Sequence, residues 1–163
     1  MNNPYWKRII GSQWLLLGAR IYLGLVFVVA SWHKIMAPGT FALDVATYQF
    51  LPLWATNGFA LVLPWVELLA GVMLILGLRA RAAALLTLCM MLSFIVALIW
   101  ALHLGLDMAC GCFASQAATT DDPISWHTMI RDLVWLLLAL YVLTLDRARL
   151  GLDHIFLNRK VSP

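Results

Sequence analysis

The stretch AAALLTLCMMLSFIVALIWALHL, residues 82–104, contains no Asp, Glu, Lys or Arg. As a helix rising about 1.5 Å per residue it is roughly 34 Å long, enough to cross a hydrocarbon core of about 30 Å. Three other apolar segments are comparable, roughly Trp14–Met36, Asn57–Leu78 and Ser125–Leu145. Only helices or closed barrels satisfy the backbone in lipid, and runs this long exclude strands. Composition agrees: 63% of the 163 residues are hydrophobic and 12% charged, with a mean hydropathy of +0.88, whereas soluble domains carry about 25% charged residues. The expectation is an all-α integral membrane four-helix bundle over residues 14–146, between an N-terminal segment (1–13) and a C-terminal tail (147–163). The first span is no cleavable signal peptide, because it contains Arg20 and no small-residue cleavage site follows at Trp32-His33-Lys34-Ile35.

Basic residues set the orientation. Lys7 and Arg8 precede the first span, Arg79 and Arg81 separate the second from the third, and Arg147, Arg149, Arg159 and Lys160 follow the fourth. The other side has Lys34 alone. The positive-inside rule therefore predicts cytoplasmic termini, with loops of about residues 37–56 and 105–124 outside. The net charge of +3 is an orientation signal and makes no case for nucleic acid. In the first outer loop, Pro38-Gly39 precedes an apolar Phe41–Leu53 stretch, which reads as a short helix on the outer surface. Trp14, Trp32, Trp54, Trp100 and Trp126 fall near span ends, as an interfacial aromatic belt requires.

Small and polar residues on one face mark helix contacts in membranes. The predicted inward stripes are Arg20, Gly24, Phe27, Ser31 and Lys34 in span one, and Ala60, Pro64, Glu67 and Gly71 in span two. Span three gives Cys89, Ser93, Val96, Trp100 and His103, and span four pairs His127 with Arg131 and Thr128 with Asp132. Ionisable groups inside a membrane are functional candidates. Arg20, Glu67, Arg131 and Asp132 cancel two against two, which suggests a buried network with Arg20 opposite Glu67. Two readings stay open: a device that fixes helix register, or a proton or charge relay led by Arg131 and Asp132.

The second outer loop carries Cys110-Gly111-Cys112. A disulfide wants Cα atoms roughly 4.4–6.8 Å apart, and two extended residues span about 6.6–7.2 Å, so closure needs the bend that Gly111 permits. A bridge strained in this way is easily reduced and suits exchange. Lys34, His103 and His127 are the candidate neighbours that would favour a thiolate. A passive loop staple is the alternative, although so small a loop gains little chain entropy. Cys89 lies too far down span three to join the pair and reads as core packing. Metal binding competes, since thiolates with His33, His103 and His127 would suit copper(I) or zinc. No C-x-x-C or H-x-x-x-H spacing supports it, and no metal ligands are assigned.

Arg20-Ile-Tyr-Leu-Gly24, His33-Lys34-Ile35 with Pro38, Leu63-Pro64-Trp65-Val66-Glu67 with Gly71, Cys110-Gly111-Cys112-Phe113 and Arg131-Asp132 together resemble a known pattern. It is that of the MauE branch of the DoxX-like membrane proteins, and the resemblance covers about residues 14–146. Ala114 departs from it, standing where the family often has Gly. The resemblance implies a four-helix protein of the bacterial inner membrane with a periplasmic thioredoxin-like partner. It also implies a part in maturing exported disulfide-rich proteins such as methylamine dehydrogenase. Two functions remain open. One is thiol–disulfide exchange at Cys110 and Cys112, with the membrane side supplied by a quinone or another subunit. The other is a non-catalytic anchor or chaperone for an exported oxidoreductase. A four-helix bundle could admit a quinone between Trp100, Trp126, His103 and Arg131, although the same aromatics also read as interfacial belt, and a homo-oligomer is left open.

Overall fold

The computed structural model describes residues 13–49, 51–104 and 126–145. Five helices account for nearly all of them: α1 (Gln13–Met36), α2 (Pro38–Thr47), α3 (Leu53–Leu76), α4 (Ala80–His103) and α5 (Trp126–Leu145). Among the described residues there is no strand. Among the described residues, three helices are long and apolar enough to cross a membrane: α1, α3 from Trp54, and α4 as far as Trp100. The 20-residue α5 forms where a fourth span was predicted. It packs chiefly on α4 and also on α1, while α1 lies mainly against α3 and α3 touches α4.

Local chemistry sets the breaks. Gly77 ends α3 in the left-handed conformation, with φ 69°. Its N–H donates to the Leu74 carbonyl, and the Leu78 N–H donates back to Met73 at 3.0 Å. This paired return of N–H groups closes a helix end and favours a residue without Cβ. Arg79, also left-handed at φ 44°, then starts α4 by accepting from the Ala82 N–H at 2.7 Å. At the other end, Pro38 stands at the first turn of α2, where a missing N–H costs nothing. α2 begins earlier than the apolar run suggested and packs on α3, burying Phe41.

The core rests on one close crossing. A Cβ added at Gly24 would sit 2.8 Å from the Gly71 carbonyl oxygen, and one added at Gly71 would sit 2.8 Å from that of Gly24. The two backbones therefore touch, as small residues allow in membranes. Gly24 also meets Ile75, and Gly71 meets Val28, so α1 and α3 run antiparallel. The predicted stripes on these two helices are buried throughout.

The predicted stripe on α4 is not. Cys89, Ser93, Val96, Trp100 and His103 are all exposed, Val96 at 53%. The buried face is Ala80, Ala83, Ala84, Thr87, Met90, Met91 and Leu98. Ser93 donates its hydroxyl to the Met90 carbonyl of its own helix at 2.7 Å, so nothing obliges it to seek a partner across the core. Cys89 is a free, exposed thiol rather than core packing.

Candidate functional site

Lys34 sits in the last turn of α1 and points inward, 3% exposed. Side chains on a helix lean toward its N-terminus, so Lys34 leans back along α1. Glu67 leans the opposite way on the antiparallel α3. The Lys34 ammonium donates to both Glu67 carboxylate oxygens, at 2.8 and 2.9 Å, and Glu67 is 1% exposed. The Phe41 and Phe94 rings each stand 5.0 Å from the ammonium. A cation over an aromatic face gains about 0.5–2 kcal/mol. Three helices and the short α2 thus enclose one fully desolvated pair.

Charge counting set Glu67 against Arg20; the structure joins it to Lys34. Arg20 is also buried, yet it lies fourteen residues before Lys34 on α1, about 21 Å along the axis. Lys34 was expected among the outer-face neighbours of the thiols. Its ammonium is held by Glu67, and the thiols themselves lie outside the described residues.

On α5, Asp132 is 3% exposed and accepts from Arg131 Nε at 3.2 Å. The Arg131 guanidinium lies 4.8 Å over the Trp135 ring, and the Trp135 indole N–H donates to the Tyr22 hydroxyl at 3.4 Å. That chain ties α5 to α1. Arg131 and Asp132, expected as candidate relay groups, thus form a local ion pair with a stacking support.

Two cavities adjoin these charges. The inner one, about 20 Å³, is lined by Lys34, Glu67, Phe94, Asp132 and Trp135 among others; it has about the volume of one water. The outer one, about 150 Å³, includes Phe41, Asp44, Tyr48, Phe59, Phe94 and Asp132. Phe94 and Asp132 line both, so they form the wall between the ion pair and the outer cavity. Asp44, on α2, is pushed above the usual aspartate range by partial burial. Sequence reasoning overlooked Asp44, Phe41 and Phe94 as site residues. The apolar run beginning at Phe41 was the available signal for a loop element folded back onto the core.

His103 is exposed at the end of α4. The side chain of His127 lies outside the described residues, as do Cys110 and Cys112. Among the described residues, no three His, Cys, Asp or Glu side chains gather as a metal site would need.

A hydropathic helical frame around a desolvated ion pair defines an integral membrane protein with a charged interior. The chain belongs to the MauE family: the model of that family, described as methylamine utilisation protein MauE, matches residues 12–145. It is 35% identical over 131 residues to the methylamine utilization protein MauE of Paracoccus denitrificans, which spans 80% of this chain and 69% of that protein. No solved structure matches significantly.

Proposed function

We propose that the protein is a multi-pass thiol–disulfide exchange protein of a bacterial inner membrane. Its working pair is Cys110 and Cys112, and its partner is a periplasmic thioredoxin-like protein. The observation that carries this reading is the Cys110-Gly111-Cys112 spacing in the segment between α4 and α5. Two thiols one residue apart make a strained bridge that exchanges readily. The distribution of Lys and Arg supports an outward position for that segment and cytoplasmic termini, with α1, α3, α4 and α5 as the four spans. By this reading α2 lies at the outer surface. Family membership supports a role in methylamine utilisation, in which the exported disulfide-rich client is methylamine dehydrogenase.

The two thiols lose two electrons and two protons and form one S–S bond. The thioredoxin-like partner is on one side of that exchange, and a membrane quinone or a second subunit takes up or supplies the electrons on the other. Arg131 and Asp132 sit early on the helix that follows the pair, where they serve proton movement. Trapping tests the proposal. Cys110→Ser or Cys112→Ser leaves one attacking thiol without its resolving partner, so each should accumulate a reductant-sensitive mixed disulfide with a periplasmic protein. A doubly substituted protein that still matured its client at normal levels would refute the exchange role. It would favour the anchoring role instead.

A further inference from the structure

We infer that the cavity between α2, α3, α4 and α5 binds the ring of a lipid-soluble hydroquinone and of its oxidised quinone. The inference rests on the thiol-exchange reading for its purpose, and on the cavity alone for its chemistry. At about 150 Å³, the space matches an apolar protein cavity known to hold one benzene ring. Its walls are mostly hydrocarbon and aromatic, from Phe41, Phe59, Phe94 and Leu98.

The polar groups on the lining are acceptor-rich. Asp44 and Asp132 contribute carboxylates, which accept when ionised, and Tyr48 a hydroxyl that can accept or donate. Ser93 already donates its proton to Met90, so its remaining capacity is to accept. Such a lining calls for a ligand that donates. An organic ammonium would donate too, but Phe41 and Phe94 already stand 5.0 Å from the Lys34 ammonium. Asp132 already holds Arg131. Glu67 and Asp132 neutralise these cations, so what counts against a further one is the cost of taking its charge out of water among mostly hydrocarbon and aromatic walls. A neutral ring with two hydroxyls meets the same acceptors without that cost. The oxidised ring has carbonyl acceptors in place of the hydroxyls and loses those bonds.

Tighter binding of the reduced ring gives the electrons a direction. Two thiols lose two electrons and two protons to form a disulfide, and the quinone gains both to become the hydroquinone. Each tenfold preference for the reduced ring raises the potential of the bound couple by about 30 mV. The site thus favours electron flow from dithiol to quinone. The position suits that role, because the cavity uses Ser93, Phe94, Ala97 and Leu98 of α4 and Asp132 of α5, and the Cys110–Cys112 segment connects those two helices.

The test uses full-length protein in lipid nanodiscs, with both loop cysteines changed to Ser so that ligand and thiols cannot react. The probe is a dimethoxy-methyl-hydroquinone with a short prenyl tail, measured against its quinone and against benzylammonium. Saturable binding above empty nanodiscs is expected, at least about tenfold tighter for the hydroquinone than for the quinone, since only the reduced ring donates to the charged acceptors. Ala97→Phe should fill the cavity and abolish binding. Ser93→Leu is the second filling variant should Ala97→Phe not fold, and Asp44→Asn should shrink the preference for the reduced ring. Benzylammonium binding more tightly, or undiminished hydroquinone binding in a folded filling variant, would overturn the assignment. Loss of hydroquinone binding while Cys112→Ser still traps its partner removes the cavity assignment alone. Binding without any trapped disulfide supports the cavity and removes the exchange reading alone.

Discussion

Lys34 and Glu67 are joined by two hydrogen bonds and almost completely buried. Removing one partner of a buried pair leaves a charge in a medium that cannot solvate it, at a cost of about 3–5 kcal/mol. Lys34→Met should therefore lower unfolding free energy in detergent by about that amount. Lys34→Met with Glu67→Leu should regain most of it, because an apolar replacement of the whole pair is close to neutral. If the double variant is no better than the single one, Glu67 has another essential partner. Asp44 makes a separate prediction. Burial raises its folded-state pKa above the ordinary 3.8, so the folded state binds its proton more tightly than the unfolded chain does. That contribution is fully present below the ordinary value and is lost as pH rises through the raised one. The stability of the wild type relative to Asp44→Asn should accordingly fall across that acid window and then level off. A flat difference over the same titration would show that Asp44 is solvated.

The helices were legible where packing and polarity coincide. On α1 and α3 the inward residues are both small and polar, so the stripes through Gly24 and Gly71 were visible from spacing alone. On α4 the two properties part company. The packed surface is made of Ala80, Ala83 and Ala84, while Ser93 satisfies itself on its own backbone, so polarity pointed to the wrong face. The partner of Glu67 was missed for another reason. Lys34 stands at a helix end, where sequence position suggests an interface, but the lean of the side chain carries its ammonium inward. The Gly24–Gly71 crossing predicts a contrast among glycines. Gly24→Ala and Gly71→Ala each force a Cβ onto a facing backbone and should cost about 1–3 kcal/mol. The pair should be non-additive, because one displacement relieves both clashes. Gly18→Ala meets nothing within 4 Å and should instead stabilise by about 0.5–1 kcal/mol through helix propensity. Denaturation of the four variants side by side checks the ordering.

For the molecule in its membrane, the proposed orientation is tested by labelling. After mild reduction of cells with a permeabilised outer membrane, Cys110 and Cys112 should react with a membrane-impermeant maleimide. Cys89, exposed on a lipid-directed face of a membrane-spanning candidate, should react only with a permeant one. Labelling of the pair solely after inner-membrane lysis would reverse the topology and move the exchange site to the cytoplasm. The helical class was readable from length and hydropathy, because lipid leaves a chain so few ways to satisfy its backbone. The enclosure of the ion pair by α2 was not readable, since it depends on how a loop helix folds back onto α3 and α1.

The Lys34–Glu67 pair also bears on biogenesis. Synthesis delivers α1 before α3, so the cation reaches the bilayer first. Lys34, in the last turn of α1, can wait with its ammonium at the interface at little cost. Glu67 has no such refuge: it lies near the middle of its helix, where an uncompensated charge resists insertion by a few kcal/mol. With α1 already in place, α3 should integrate more readily, because the Lys34 ammonium is there to take the Glu67 carboxylate. A truncated chain beginning after α2 should stall at membrane integration, and co-expression of the missing helical hairpin should rescue it.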